Sequence, residues 1–286
     1  MSKTVFITPG EKIRLTDISA EPPKGMTKEK ANRRFATLGK QMFELQDAMF
    51  GAKVHSVMVV LQGRDSAGKD GTIKHVVGCL NPRGVAVSSF GVPTAEEREH
   101  DFLWRVHRQA PRLGEFAIFN RSHYEDVLVV RVHNLVSKKL WGERYDHING
   151  FEELLAEHGT IVLKYFLHIS RDEQKKRLLE REKDRNAAWK LNLNDWKERD
   201  YWNAYTTAYE DAISRTASKH APWTIVPANA KWYRNLVVAE SIVGALQDHR
   251  RDWEKTLEDM GKVGRAELSA YRAQYAARKL AADRRR

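Results

Sequence analysis

The sequence predicts an α/β protein in which a sheet of five parallel strands is covered on both faces by helices, a three-layer α/β/α arrangement with a helical lid. Three observations predict it. Val57, Met58, Val59, Val60 and Leu61 form an unbroken apolar run too short for a stable helix, as expected of a parallel strand buried on both sides. A glycine loop follows at once, and Thr72, Ile73, Val76, Val77 and Leu80 then recur at helical spacing. Four further short apolar runs, near 85–90, 115–119, 160–169 and 223–226, alternate with helical stretches.

The loop between that first strand and helix reads Gly63-Arg64-Asp65-Ser66-Ala67-Gly68-Lys69, followed by Asp70 and Gly71. This is the glycine and lysine spacing of a P-loop, whose backbone N–H groups wrap phosphate oxygens while the lysine bridges them. The helix behind it adds free amides and the positive end of its dipole. Where the common loop has Ser or Thr after the lysine, to hold magnesium, this chain has Asp70. Asp65 is the expected replacement, because a carboxylate beside a phosphate cradle is repulsive unless a divalent cation lies between them. A turn-forming role is the alternative for Asp65.

Composition bounds the rest. A chain of 286 residues, 42% hydrophobic, can bury a sizeable core, and no apolar run approaches bilayer length. The start lacks a signal-peptide block and Cys79 is the lone cysteine, so a cytoplasmic enzyme is expected. The net charge of +11 points to an anionic partner, with basic residues near the loop, in the 171–185 stretch and at the C-terminus.

Taken in order, residues 1–27 carry Pro9, Pro22, Pro23 and Gly25 without periodicity and are expected to form an arm ahead of a single domain over 28–286. Phe35, Leu38, Met42, Leu45 and Met49 recur at steps of three and four, an amphipathic helix. Asn81-Pro82-Arg83-Gly84 is a turn. Thr94 with Glu97 makes an approximate capping box for a helix reaching about Gln109. A long helix is expected near 233–254, and a polar one with a basic tail over 266–286.

The third strand runs into Asn120-Arg121-Ser122-His123-Tyr124-Glu125-Asp126. Ligands of open α/β sheets bind outside the carboxyl ends of the strands, so these residues should face the same crevice as the loop. Ser122 and Glu125 fit a capping box. Asp126 is not explained by capping, and a carboxylate near a P-loop commonly holds the metal. Arg121 is placed to clamp a transferring phosphoryl group. After the fourth strand, Ser170 and Glu173 start a helix carrying Arg177, Arg181 and Arg185 on one face. It is either a solvated helix paired with its own glutamates or a lid, over about 170–200, that closes on phosphates. Trp196, Tyr201, Trp202, Tyr205 and Tyr209 follow and are expected to lie mostly in the core.

Four motifs together, Gly63 to Lys69, Leu80-Asn81-Pro82-Arg83, Phe119-Asn120-Arg121-Ser122 and Val226-Pro227-Ala228-Asn229, resemble the second family of polyphosphate kinases. The resemblance implies a P-loop kinase fold like that of thymidylate kinase, using magnesium or manganese and moving a terminal phosphoryl between inorganic polyphosphate and a nucleotide. By motif, Asp65 and Lys69 are the aspartate and lysine of the family's Walker A loop, Asp126 lies in its Walker B region, and Arg121 is a phosphate contact. Arg177 and Arg181 match its lid, and Lys74 and Arg83 its polyphosphate-binding side. Members acting mainly on diphosphates carry Asp-Arg-Ser-Trp-Tyr-Asn-Arg where this chain has residues 120–126. The present version, in Asn120, Arg121 and Glu125, looks like the branch that takes both mono- and diphosphates, so AMP and ADP are the expected acceptors and ATP a product.

The expected site is thus Asp65, Lys69, Arg121 and Asp126 for catalysis, with Asp65 and Asp126 on the metal. The remaining loop residues bind phosphate. A homo-oligomer of two or four chains is expected, with no membrane partner. An ordinary ATP-dependent nucleotide kinase would use the same loop but would not need Lys74, Arg83 and the surplus charge. A nucleic-acid-binding NTPase also suits +11, but a second motor domain does not fit in this length.

Overall fold

The computed structural model describes residues 5–283, so the first four residues of the arm and the end of the basic tail, 284–286, lie outside the described residues. Its centre is a six-stranded sheet: β1 (Val5–Ile7), β2 (Ser56–Gln62), β3 (Val85–Ser89), β4 (Phe116–Asn120), β5 (Thr160–His168) and β6 (Trp223–Pro227). The spatial order is β1-β6-β5-β2-β4-β3. The five predicted strands are all present and mutually parallel. The sheet itself is mixed, because β1 adds antiparallel to β6 with Val5 opposite Ile225. Three residues are too few to show a strand period, which is why the arm reads as irregular in the sequence. Beyond β1 the arm stays attached: the Ile18 carbonyl lies 3.0 Å from His168 Nε2, and the Ala20 carbonyl accepts from Asn229 N.

β2 is central, and its neighbours decide where a ligand can sit. β4 lies on one side and β5 on the other; the chain leaves the carboxyl end of β2 toward β3 and that of β5 toward β6, in opposite directions, and this opens a crevice at the end of β2. Strand alternation sorts the core into two layers. Val57, Val59 and Leu61 face α1 (Lys28–Ala52), α2 (Lys69–His75) and, later in the chain, α6 (Lys231–Gln247). Met58 and Val60 face α3 (Lys138–Glu157) and α5 (Trp202–Thr216). The helix carrying Arg177 and Arg181, α4 (Arg171–Lys183), follows β5, and α7 (Arg250–Asp283) ends the described chain. No described helix is long and apolar enough to cross a membrane.

Two helices differ from their predicted extents. The capping box of Thr94 and Glu97 is present, but the helix stops at Arg98 and a second turn spans Trp104–His107. Asp101 restarts it by accepting from Leu103 N at 2.9 Å, while His100 stacks on Trp104 at 4.0 Å. The helix expected over 233–254 breaks after Gln247. The break lets α7 turn the wholly buried Trp253 onto the sheet, where its Nε1 donates to His55 Nδ1 at 3.0 Å.

One core feature carries charge. Lys164 of β5 is 1% exposed and donates to Glu152 Oε2 of α3 at 2.6 Å, to Tyr124 Oη at 3.0 Å and to the Thr216 carbonyl at 2.7 Å. Glu152 Oε1 accepts from Tyr124 Oη at 2.8 Å and lies 3.2 Å from His123 Nε2. Burial favours the neutral form of both partners, yet in Glu152 the Lys164 cation and His123 overcome it and hold the carboxyl below its ordinary range. Lys164→Met alone is expected to destabilise the fold by about 3–5 kcal/mol, because it leaves Glu152 buried and uncompensated. Lys164→Met with Glu152→Leu should recover most of that loss, as read by urea unfolding.

Candidate active site

A loop that aims its amides at an anion turns its carbonyls backward, and those need donors of their own. All six carbonyls of residues 63–68 find donors. Lys69 Nζ donates to the Gly63 carbonyl at 2.7 Å and the Arg64 carbonyl at 3.3 Å. Gln174 Nε2 of α4 reaches the Asp65 carbonyl at 2.9 Å. Arg177 Nη1 donates to the Ser66 and Ala67 carbonyls at 3.0 and 3.1 Å, and Thr72 takes that of Gly68 through its amide at 2.9 Å and its hydroxyl at 3.1 Å. The backbone is correspondingly special. Gly63 has φ +151°, and a Cβ there would meet the Leu167 carbonyl at 2.9 Å. Ser66 sits at φ +63° without being a glycine, held by Arg177 at its carbonyl and by Arg181 Nη2 at its hydroxyl, 2.7 Å away.

Across the crevice, Arg121 follows β4 at φ +61° and its amide donates to the Leu61 carbonyl at 3.1 Å. Its Nη2 meets Asp65 Oδ1 at 2.7 Å and its Nη1 lies 3.9 Å from Glu125 Oε2. Asp65, Arg121 and Glu125 therefore form one cluster beside Lys69. Burial lowers the proton affinity of Lys69, and Arg121 lowers it further against Asp65, Glu125 and Asp70. Burial raises the Glu125 pKa against the pull of Arg121 and Lys69. Ser122 caps the turn by accepting from Tyr124 N at 3.2 Å, and the Glu125 side chain is left to the cleft rather than to a capping box.

Asp126 does not join this cluster. Its carboxylate lies 3.3 Å from Arg144 Nη1 and 3.5 Å from Arg105 Nη2, and its own carbonyl also accepts from Arg144. One residue along a turn of three residues rotates the side chain by about 120°, which separates Asp126 from Glu125. The two carboxylates expected on the metal, Asp65 and Asp126, are thus not brought together, and Glu125 is the one that shares Arg121 with Asp65. Among the described residues no three His, Cys, Asp or Glu side chains converge on a metal site. Two carboxylates meeting at the Arg121 cation still suit magnesium, which keeps several waters and takes substrate phosphate oxygens as ligands.

Other predicted residues divide. Arg64 turns out of the cradle: its guanidinium lies 3.8 Å over the Trp202 ring and donates to Thr206 Oγ1, and burial lowers its pKa to about 10. Asp70 is exposed and accepts from Asn120 Nδ2 at 2.9 Å and from Lys190 of the lid. Lys74 is exposed on α2, and Arg83 is exposed over Phe50, 5.4 Å from the ring.

The two α4 arginines are placed differently. Arg177 is 7% exposed and commits all five N–H groups: Nε to Glu173, Nη1 to the loop, and Nη2 to the Ala228 and Asn229 carbonyls at 2.6 and 2.7 Å. It is a clamp rather than a free phosphate contact. Arg181 reaches Ser66 and pairs with Asp195 at 2.6 Å, at the lip of the loop. The cleft between loop and lid has a volume of about 360 Å³, and its lining includes Asp65, Arg121, Glu125, Asn192, Trp202 and Tyr205. Sequence reading missed Gln174, Lys190 and Asp195, which carry no motif. Glu125 it assigned to capping or acceptor choice.

These positions can be set beside known proteins. The profile described as Polyphosphate kinase 2 (PPK2) matches residues 25–254. The chain belongs to the polyphosphate kinase 2 family. It is 50% identical over 220 residues, covering 77% of this chain and 82% of the relative, to an AMP/ADP-polyphosphate phosphotransferase of Meiothermus ruber. It is 37% identical over 268 residues, 89% and 93% of the two chains, to an ADP-polyphosphate phosphotransferase of Rhodopseudomonas palustris. The crystal structure of polyphosphate kinase 2 from Arthrobacter aurescens is similar with a TM-score of 0.81 and 40% identity, over 84% of this chain and 87% of that one. The family match stops within the first turns of α7, so the rest of that helix lies beyond it.

Two tests follow from this geometry. Arg177→Ala is expected to lower stability by at least about 3 kcal/mol, since it strips the donors from four carbonyls, whereas Arg181→Ala should cost turnover and leave the melting temperature within a few degrees. Glu125 gives a pH signature. Its folded pKa lies above the ordinary 4.5, so the wild type loses stability as pH rises from 4.5 through the folded value. Glu125→Gln should therefore gain in melting temperature relative to wild type over that window, measured in parallel pH series.

Proposed function

We propose that this polyphosphate kinase 2 transfers the terminal phosphoryl of inorganic polyphosphate to AMP and ADP, reversibly and with magnesium. The observation that carries the reading is the convergence of an anion cradle, a lysine, an arginine and two carboxylates above one strand end. The close relationship to an AMP/ADP-polyphosphate phosphotransferase supports the choice of donor and acceptors.

Transfer breaks the bond from the terminal phosphorus to its bridging oxygen and forms one to an acceptor phosphate oxygen. Polyphosphate becomes one unit shorter and the nucleotide one unit longer. The acceptor oxygen is already ionised, so no side chain has to remove a proton, and positioning and charge do the work. The loop amides between residues 63 and 69, apart from that of Ala67, which donates to the Arg64 carbonyl at 3.1 Å, hold donor or acceptor phosphates. Lys69 swings from the Gly63 and Arg64 carbonyls onto the transferred group, and Arg121 neutralises charge as the bond migrates. Asp65 and Glu125 would hold the metal, which would supply positive charge against the phosphate oxygens. Arg181, released from Ser66, closes over the site, and Arg177 keeps the loop in shape. Because one phosphoanhydride replaces another, either direction can run.

Incubation with magnesium, long polyphosphate and AMP or ADP, followed by chromatography of nucleotides, tests donor and acceptors together. Products should be ADP and ATP from AMP, and ATP from ADP. Conversion of AMP by ATP, with none by polyphosphate, would instead make this an ordinary nucleotide kinase. Lys69→Ala should lose roughly a hundred- to thousandfold in rate, by the measure of single oxyanion donors, and Asp65→Asn should lose most activity with the fold intact. Near-normal turnover in either would remove that residue from the machinery.

A further inference from the structure

Five cations surround the loop: Lys69, Arg121, Arg177, Arg181 and Arg234. Arg121 has Asp65 and Glu125, Arg177 has Glu173, and Arg181 has Asp195. Among the described residues, Lys69 and Arg234 have no carboxylate within ion-pair distance. Lys69 lies in the cradle already described. Arg234, on α6, lies outside it and is 2% exposed. Its Nε and Nη2 both donate to Asn235 Oδ1, at 3.1 and 2.8 Å.

The guanidinium is pressed against the loop where two residues lack side chains. A Cβ on Gly68 would fall 1.8 Å from Arg234 Nη1, and one on Gly71 3.0 Å from Nη2. Gly71 lies inside α2 with no positive φ, so its backbone does not call for glycine; the guanidinium does. Burial, and then the neighbouring Arg177, lower the Arg234 pKa to about 10, which leaves it charged at neutral pH. A buried cation with no counter-ion is costly, and a fold that keeps one gains when an anion arrives nearby.

We propose that Arg234 is a positioning residue of the phosphate cradle, whose counter-ion is the phosphate bound on the other side of Gly68 and Gly71. It touches no substrate. It raises the potential behind the loop through the gap the two glycines leave, and its charge is compensated only when phosphate is bound. The inference rests on the phosphate reading of the loop.

Thermal shift and equilibrium binding with magnesium and long-chain inorganic polyphosphate test it on the full chain. Arg234→Met removes the charge and keeps most of the volume. It should melt no lower than wild type without ligand, show a smaller polyphosphate-induced shift, and bind polyphosphate roughly tenfold more weakly, with turnover at saturation little changed. Arg234→Lys should restore most of the affinity. Gly71→Ala, whose Cβ would sit 3.0 Å from Nη2 and nudge the guanidinium with its charge intact, should weaken binding less than Arg234→Met does. An Arg234→Met variant that melts lower but keeps the full ligand shift would make the residue a structural brace and overturn the proposal. Should that variant not fold, full polyphosphate affinity in Arg234→Gln, which also removes the charge, would overturn it alone. No polyphosphate-induced shift in the wild type would overturn the phosphate reading of the loop, and this inference with it.

Discussion

The constraint on which the site depends is the need to satisfy carbonyls while leaving amides free. An anion cradle has to present bare N–H groups at one face, and the peptide plane then sends each oxygen the other way, into protein. Here the donors come from far along the chain: Gln174 and Arg177 from the helix after β5, and Lys69 from the loop's own end. The same Arg177 fork also takes the Ala228 and Asn229 carbonyls after β6. One guanidinium thus joins the loops following β2 and β6 to α4, and the lid is anchored at its root while Arg181 and Lys190 lie farther out.

That arrangement explains what the sequence could and could not show. The five parallel strands are legible because an apolar run bounded by turn residues has few other uses. The cradle is legible because glycine spacing is a backbone requirement written in residue type. The direction of Asp126 is not legible for a geometric reason: adjacent carboxylates on one turn point a third of a revolution apart, and nothing in the letters tells which faces the crevice. The burial of Arg177 is hidden for an energetic one. Its helix is rich in charge and reads as solvated, yet this residue is buried because carbonyls, which have no sequence signature, surround it.

The overall charge of +11 is also a poor guide to where charge matters. Several cations at the site are already neutralised by carboxylates in the resting fold, and Arg64 is stacked on an indole. Exposed positions such as Lys74 and Arg83 supply attraction at a distance, which salt screens, whereas the buried groups act at short range and are screened far less. Under the proposed function, capture of a long polyanion and stabilisation of the transferred group fall to different residues.

The antiparallel strand at the sheet edge has a kinetic consequence. Val5 pairs with Ile225, so the first described residue to be synthesised has to wait for one 220 positions later. At ~5–20 residues per second that is on the order of 10–40 s, during which three apolar residues remain unpaired on the nascent chain. β6 is in the same position from its own side, since its outer edge stays open until the arm folds back. The arm is therefore a closing seam, the last main-chain pairing the sheet can make during synthesis. Its docking under His168 and Asn229 ties completion of the edge to the strand ends that frame the crevice.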